Sequence, residues 1–476
     1  MTGTVDAAVV RFHEILGQQD GAVAVHQQLR DRQRAAGLMA GDRPFSHVLR
    51  PHFITSADHA QVCADGALVT AAIHRLVACA LQPGEPGRLV RQYLALAPVE
   101  RALAAQAPLT GSLSPLSRLD GFRGAGQTLF VEYNAHPPGG IISQDVLTEA
   151  HLDTRVMEEF QRDYTVRVVP GLPRLVDSLL DAWHTGGAPG GAPRVAIVDW
   201  EDGLQGEFRV LQAALRSQGV PAVVCTPDEL CYEARRGLYV RDADGRRHPV
   251  TVVHRRVVLT DLLARYGDRD ALTEHPMTRA WAAGACVMVN PFTSHLAHKK
   301  SVLALLTDPR TNCLLPASEA TAASALVPWT RLVSEDTTTC PQGQDVDLLA
   351  YARARREHLV LKPNDDYGGR GVVCGWQTQD AAWQTALGRA LEVPHVLQER
   401  VPIPVSPYPV LVDGTLRIDD YSETVDPYLY GTDSPGCMSR LSQTALLNVC
   451  SGGSLVPVLR IEARTPEIAS AQGQLP

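Results

Sequence analysis

The sequence lacks paired cysteines. Its ten cysteines (63, 79, 225, 231, 286, 313, 340, 374, 437 and 450) are scattered, with no Cys-x-x-Cys and no Cys/His cluster at zinc spacing. A zinc finger or a dithiol redox motif is therefore not expected, and each cysteine reads as a small, reduced core residue or, at one position, a nucleophile. Positive charge is scarce: the formal net charge is −8 and no Lys/Arg stripe is interleaved with aromatics, which are only 5% of the chain. Nucleic acid is not an expected partner. No apolar run reads as long enough to cross a bilayer, and the first residues show no charged leader ahead of a long apolar core. No membrane association is expected, and the expected location is the cytoplasm. The acidic crossover Asp199-Trp200-Glu201-Asp202-Gly203-Leu204-Gln205-Gly206 lacks Gly-x-Gly-x-x-Gly, which argues against a dinucleotide.

What is present is enough chain for two or three lobes around a cleft. Apolar spacing of three and four predicts helices over 5–16, 23–36, 67–81 and 87–105. They show no chemistry and read as a packing layer or a substrate lid. A hairpin follows, with Arg118-Leu119-Asp120-Gly121-Phe122 on one arm, a turn at Gly124-Ala125-Gly126, and strand 129–134 on the other. An amphipathic helix marked by Leu172, Leu175, Val176, Leu179, Leu180 and Trp183 runs into a Gly/Pro-rich linker at 185–193. Beyond it, strands 195–200, 221–226 and 250–258 with helix 206–216 predict a small open α/β layer. A helical section over 290–306 comes next. Strands 358–362, 371–376 and 395–401, helix 380–391, a hairpin over 408–418 and a last strand over 454–463 then predict a mixed antiparallel lobe. The tail from Arg464 reads as frayed.

Three stretches can carry chemistry. In Glu132-Tyr133-Asn134 alternate side chains share a strand face, so a carboxylate and an amide lie about 7 Å apart and can serve two cations. Asp120 on the partner arm adds a third hard oxygen, a ligand set that suits Mg²⁺. Arg118 falls on the face of Asp120, where it can hold a transferring phosphoryl group. The competing reading of Asp120 and Glu132 is a solvated hairpin face. In Lys362-Pro363-Asn364-Asp365-Asp366-Tyr367-Gly368-Gly369-Arg370-Gly371 a strand-end lysine precedes a Gly-rich turn, which describes either a phosphate flap or a surface hairpin. It is not a Walker loop, because Gly-Lys-Ser/Thr is absent. Gln398-Glu399 ends a strand and can meet an adenine edge and a ribose, or is a plain strand end.

Taken jointly, the Lys-Pro strand, the Gly-Gly-x-Gly flap, the Gln-Glu strand end and a Glu-x-Asn strand resemble the parts of an ATP-grasp ligase. The Glu-x-Asn strand, usually last, comes first here. That order resembles the circularly permuted ATP-grasp enzymes, and most of all the synthetase domain of glutathionylspermidine synthase, whose Arg-x-Asp arm and Glu-Tyr-Asn-Ala strand look like residues 118–120 and 132–135. The resemblance implies Mg²⁺, as two ions, on Asp120, Glu132 and Asn134. It implies Arg118 as the transition-state arginine, Lys362 and Lys300 as ATP lysines with Lys299 competing for the second role, Gly368, Gly369 and Gly371 as the flap, and Gln398-Glu399 as the adenine hinge. Arg440 and Asn448 fall in a segment that lines the cleft in such enzymes, and Arg255, Arg256 and Arg417 are candidate anchors for an anionic substrate or surface ion pairs.

The expected fold is thus α+β / α/β: a circularly permuted ATP-grasp with a helical N-terminal region (1–110), a metal-binding part of the core (111–185), a small pre-ATP-grasp-like α/β layer (195–290), a nucleotide-binding lobe (291–400) and a returning C-terminal part (401–476). The expected activity is ATP-dependent carboxylate–amine ligation. Its substrates would be small molecules, with an amino acid, a peptide or a polyamine as the amine. A phosphotransferase and an idle nucleotide-binding partner are the rival readings. After Asn134 the run Ala-His-Pro-Pro-Gly-Gly departs from the synthase's Asp-Thr-Pro, which leaves the substrates open.

Overall fold

The computed structural model describes residues 2–18, 20–106, 111–124, 126–242, 244–267, 269–444 and 452–464. The strand Ser454–Ala463 joins distant parts of the chain: it pairs antiparallel with Asp433–Ser442 and Tyr164–Arg167, and parallel with His52–Thr55. It is part of a nine-stranded sheet whose main path runs Val405–Val412, Thr415–Glu423, Asp433–Ser442, Asp426–Tyr430, Leu116–Gly124, Gln127–Asn134. The hairpin 116–134 is therefore an edge of a large sheet. Its inward residues Leu119, Phe130 and Tyr133 are buried, which leaves Arg118, Asp120, Glu132 and Asn134 on the opposite face.

Two smaller sheets stand beside it. One is parallel, in the order Val287–Val289, Val252–Arg255, Val195–Val198, Ala222–Cys225, with helix Gln205–Ser217 as a crossover. Its central strand Val195–Val198 is a continuous apolar run, fully buried as burial on both faces requires, while Val252–Arg255 ends in the buried His254 and Arg255. This is the expected α/β layer. The other is antiparallel, in the order Thr330–Leu332, His395–Glu399, Leu359–Pro363, Val373–Cys374, and carries Lys362 and Gln398.

The structure departs from the sequence reading in several places. The N-terminal region contributes strands as well as helices: a short pair, Met39–Ala40 with Arg43–Pro44, and His52–Thr55, which joins the large sheet. The helix expected over 87–105 is two helices, Glu85–Tyr93 and Pro98–Ala104, separated where Ala95 takes a φ of 47°. Helix Ser56–Ala80, with 25 residues, is long and apolar enough by length and composition to cross a membrane, contrary to expectation. Val69, Ile73, Leu76 and Val77 on it are packed in one core with Leu119, Phe130, Tyr133 and Leu303. The expected strand 250–258 is split between two sheets as Arg247–Val250 and Val252–Arg255. Strand 371–376 shrinks to Val373–Cys374 and a tight turn. The Gly/Pro run after helix Gly171–Thr185 is packed: Trp183 Nε1 donates to Pro189 O at 3.1 Å, and a Cβ on Gly186 would lie 2.3 Å from Val287. Helical residues before this run and strand residues after it share one core. The nine described cysteines are free; Cys450, Ala125 of the expected turn and the tail beyond Arg464 lie outside the described residues.

Candidate active site

Cross-strand register builds the site. Asn134 pairs with Arg118 and Glu132 with Asp120, after which the register slips, so that Phe130 meets Gly121 and Val131 has no opposite residue. Gly121 is required at the slip, since a Cβ there would lie 2.7 Å from Thr128 Cγ2 and 2.9 Å from Val425 O.

Two carboxylates directly opposite each other repel, and cations surround this pair. Arg118 Nε and an Arg440 terminal nitrogen each donate to Asp120 at 2.8 Å, and Lys300 Nζ stands 3.1 Å from Glu132. Burial alone would raise the Asp120 pKa, but Arg118 and Arg440 hold it well below the carboxylate range. Burial, the largest influence, and Asp120 opposite both act to raise Glu132, and Lys300 and Lys362 together outweigh them, so Glu132 is also lowered. Arg440 continues to Asp426, donating through Nε at 2.8 Å. Asp426 is fully buried and accepts from Gly121 N at 3.1 Å and Thr424 Oγ1 at 2.7 Å.

Both lysines come from other segments. The helical section expected over 290–306 is interrupted between Ser294–His298 and Val302–Thr307, with Lys299 extended at φ −62°, ψ 134°. Successive side chains of extended chain point to opposite sides. Lys300 enters the cleft and donates to Asp366 O, whereas Lys299 turns inward to Glu100 and Asp365. Lys362 Nζ donates to Gln398 Oε1 at 2.7 Å and to the carbonyl of Val131 at 3.2 Å. Burial depresses the Lys362 pKa to about 8, against the attraction of Glu132.

These groups line one cavity of about 310 Å³. Arg118, Asp120, Glu132, Lys300, Lys362 and Arg440, with the amide of Asn134, form a charged and polar part of its lining, and Phe122, Val131, Val360, Val372, Trp376, Val401 and Ile403 its apolar part. Such a division suits a ligand with a charged part and a flat apolar part. Gly368, Gly369, Gln398 and Glu399 also line the cavity. The flap glycines 368, 369 and 371 have φ of 69°, 77° and 66°, which favours glycine at each. Gly371 packs on Pro363 rather than lining the cavity, with Cγ 2.7 Å from the position of a Cβ. The Gln398 side chain is engaged by Lys362 and Thr330, and the Glu399 N–H donates to Trp329 O at 2.8 Å, so this strand end meets its neighbours with the groups expected to face a base.

Three expected anchors do not reach the cavity. Arg255 is fully buried and donates to Asn290 O at 2.8 Å and Val257 O at 2.6 Å, a brace between strands. Arg256 bonds the Pro137 carbonyl, and Arg417 is exposed and paired with Asp419 at 3.1 Å. Asn448 lies outside the described residues. Arg440 does reach the cavity, although its partners are Asp120 and Asp426. Sequence reading missed Asp426, Thr424, Trp376, Arg370 and Arg400. Arg370 is the third residue of the flap and Arg400 follows Gln398-Glu399, so both lie beside residues already singled out, whereas Thr424 and Asp426 sit in no motif and enter only through strand pairing across hundreds of residues.

The donor set fits Mg²⁺ and nucleotide phosphates. Glu132 already faces an ammonium, and the side-chain nitrogen of Asn134 is buried without a partner, an amide whose two ends interchange by a flip. Both Asp120 oxygens are held by arginines, so an ion there requires one arginine to release its oxygen.

No protein-family model matches the sequence, and no curated protein matches it. Among solved structures, a glutathione synthetase like-effector from Globodera pallida, in its apo form, superposes with a TM-score of 0.59 at 14% identity, covering 93% of this chain and 98% of that one. A putative gamma-glutamylcysteine synthetase from Methylobacillus flagellatus aligns at TM-score 0.38 and 12% identity, covering 84% of this chain and 87% of that one. A RimK domain protein ATP-grasp from Sphaerobacter thermophilus aligns at TM-score 0.26 and 17% identity, covering 56% and 90%. The first match gives the chain a glutathione synthetase-like fold; the other two superpose too loosely to carry an argument.

Proposed function

We propose that the protein is an ATP-dependent carboxylate–amine ligase of the ATP-grasp type, with its metal strand placed early in the chain as in the circularly permuted members. The observation that carries this reading is the convergence of Arg118, Asp120, Glu132, Asn134, Lys300 and Lys362, from three distant segments, on one cavity. The early position of strand Gln127–Asn134, ahead of both lysines, supports the permuted order.

Asp120, Glu132 and Asn134 hold Mg²⁺, which supplies charge neutralisation at the phosphates. Lys300 and Lys362 hold the phosphates, and the turn at Gly368 and Gly369 covers them. A substrate carboxylate oxygen attacks the γ-phosphorus and ADP leaves. The amine then attacks the acyl carbon of the acyl phosphate, inorganic phosphate leaves, and the nitrogen loses a proton to give the amide. Arg118, 2.8 Å from Asp120, neutralises charge on the transferring group. The work of the site is positioning and electrostatics.

The test is an ADP-release screen of amino acids, small peptides and polyamines with mass detection of the product, run on the parent and on Glu132→Gln and Lys362→Ala. Amine-dependent ADP release with amide formation, lost in both variants, is expected. Turnover in which phosphate moves to a hydroxyl overturns ligation, and parent-like ATP binding and turnover in both variants overturns the site.

A further inference from the structure

Next to the cavity-lining Lys300 and Asp366 lies a second, largely buried set of charged groups that takes no part in the reaction above. Glu100, on the short helix Pro98–Ala104, is 4% exposed, and His295 is fully buried. Lys299 Nζ donates to Glu100 Oε1 at 2.7 Å and to Asp365 Oδ2 at 3.2 Å. His295 Nε2 lies 2.9 Å from the same Glu100 oxygen and 3.2 Å from the same Asp365 oxygen. His295 Nδ1 meets His136 Nε2 at 3.0 Å, and Arg255 donates to His136 Nδ1 at 3.2 Å. Arginine has only donors, so the hydrogens run one way: Arg255 to His136, His136 to His295, and His295 to the two carboxylates.

Glu100, His295 and Asp365 present ligand atoms within 4.8 Å of one another, a spacing that can hold a metal ion. The Lys299 ammonium already bridges the two carboxylates, so the cation of this cluster is internal.

The cluster is joined to the proposed ATP site residue by residue. Lys299 bonds Asp365, and the next residue, Lys300, bonds the carbonyl of the next, Asp366. Lys300 N donates to Asn364 O at 2.9 Å, Ser301 N donates to Asn364 Oδ1 at 2.9 Å, and Asn364 Nδ2 reaches back to Leu94 O at 3.1 Å. The break between two helices and the root of the flap are thus fastened rung by rung. The side chain of Lys299 anchors this fastening to the N-terminal region.

We infer that Lys299, through Glu100, His295 and Asp365, is a positioning residue that fixes the flap root and directs Lys300 into the phosphate end of the cavity. The inference rests on the proposed ATP site for the role of Lys300, and on geometry alone for the flap. It also gives residues 1–110 a part in the site: Glu100 holds the lysine that holds the flap. Without Lys299, Glu100 and Asp365 face each other as like charges and the root of the flap is pushed away. Neutralising Glu100 as well removes that repulsion.

The experiment compares the parent with Lys299→Met, Lys299→Arg, Glu100→Gln and the double variant Glu100→Gln/Lys299→Met. The first readout needs no nucleotide: tryptic cleavage after Arg370, an exposed flap residue, followed by mass spectrometry under native conditions. Lys299→Met is expected to speed that cleavage about tenfold relative to cleavage elsewhere, and the double variant to return toward the parent. The second readout is the KM for MgATP, expected to rise about tenfold in Lys299→Met with kcat changed less, and to be partly restored in the double variant. Lys299→Arg keeps the charge and is expected to fall between, which carries the test if the methionine variant does not fold. Cleavage and KM within twofold of the parent in both Lys299 variants, whatever the thermal midpoint, overturn the inference while leaving the ligase reading intact. Faster flap cleavage in a protein whose parent binds no MgATP upholds the flap anchor and overturns its link to ATP.

Discussion

Asp120 and Glu132 face each other directly across an antiparallel strand pair, two carboxylates in register on the open face of a sheet whose other face is core. A purely structural hairpin gains nothing from this pairing. Here Asp120 is bound by two arginines and Glu132 by a lysine, so the sheet edge presents fixed negative charge that only cations neutralise.

That arrangement gives Asp120 a structural role beside its proposed one as a metal ligand. Asp120→Asn leaves the buried Arg118 guanidinium without a charged partner, whereas Arg440 retains Asp426. The expected loss is about 3 kcal/mol, the lower end for breaking a buried ion pair. Urea unfolding checks it; a loss under about 1 kcal/mol would mean the pair is as weak as a surface one.

Asn134 is expected to behave in the opposite way. Its amide nitrogen has no partner in the folded chain, so Asn134→Leu removes an unsatisfied polar group and is expected to leave stability within about 1 kcal/mol of the parent. Mg²⁺-dependent ATP binding, followed by calorimetry, is expected to fall at least tenfold. Unchanged Mg²⁺ dependence would remove Asn134 from the ligand set.

Lys362 gives the site a pH signature. Burial depresses its pKa from the ordinary 10.5 to about 8. Between those values the unfolded chain binds a proton that the folded chain does not, so folding stability is expected to rise with pH from about 8 to 10.5 and to be flat with respect to this group below 8. Phosphates restore the charged form, so MgATP binding near pH 8.5 is expected to take up a proton, measured as a buffer-dependent enthalpy. Lys362→Met should abolish the uptake; a variant that still takes up the proton assigns the titration to another group.

Tyr367, next to the first flap glycine, reaches across to helix Leu259–Tyr266, its hydroxyl 3.1 Å from both carboxylate oxygens of Asp261, and Arg370 lies over its ring at 4.7 Å. Tyr367→Phe removes one charge-assisted hydrogen bond, worth about 1.5–3 kcal/mol. If the contact holds the flap down, ADP release measured by stopped flow speeds up at least fivefold. An unchanged release rate would show that the contact does not restrain the flap.

The sequence by itself determined the face that Glu132 and Asn134 share, because strand periodicity admits no other arrangement, and likewise the strand and helix alternation from residue 195 and the last strand, which matches Ser454–Ala463. It determined that Lys362 ends an apolar strand before a Gly-rich turn. Tertiary structure alone decided which of Lys299 and Lys300 enters the cavity, since one extended residue at a helix break sends adjacent lysines to opposite sides. It alone decided that Arg255 is a buried brace while Arg440 reaches the cavity, two arginines that look alike in sequence and differ only in what strand pairing places beside them. It also joined Glu100 to the flap across more than 260 residues. Periodicity fixes which way a side chain faces; only the packing of segments far apart in the chain fixes what it meets.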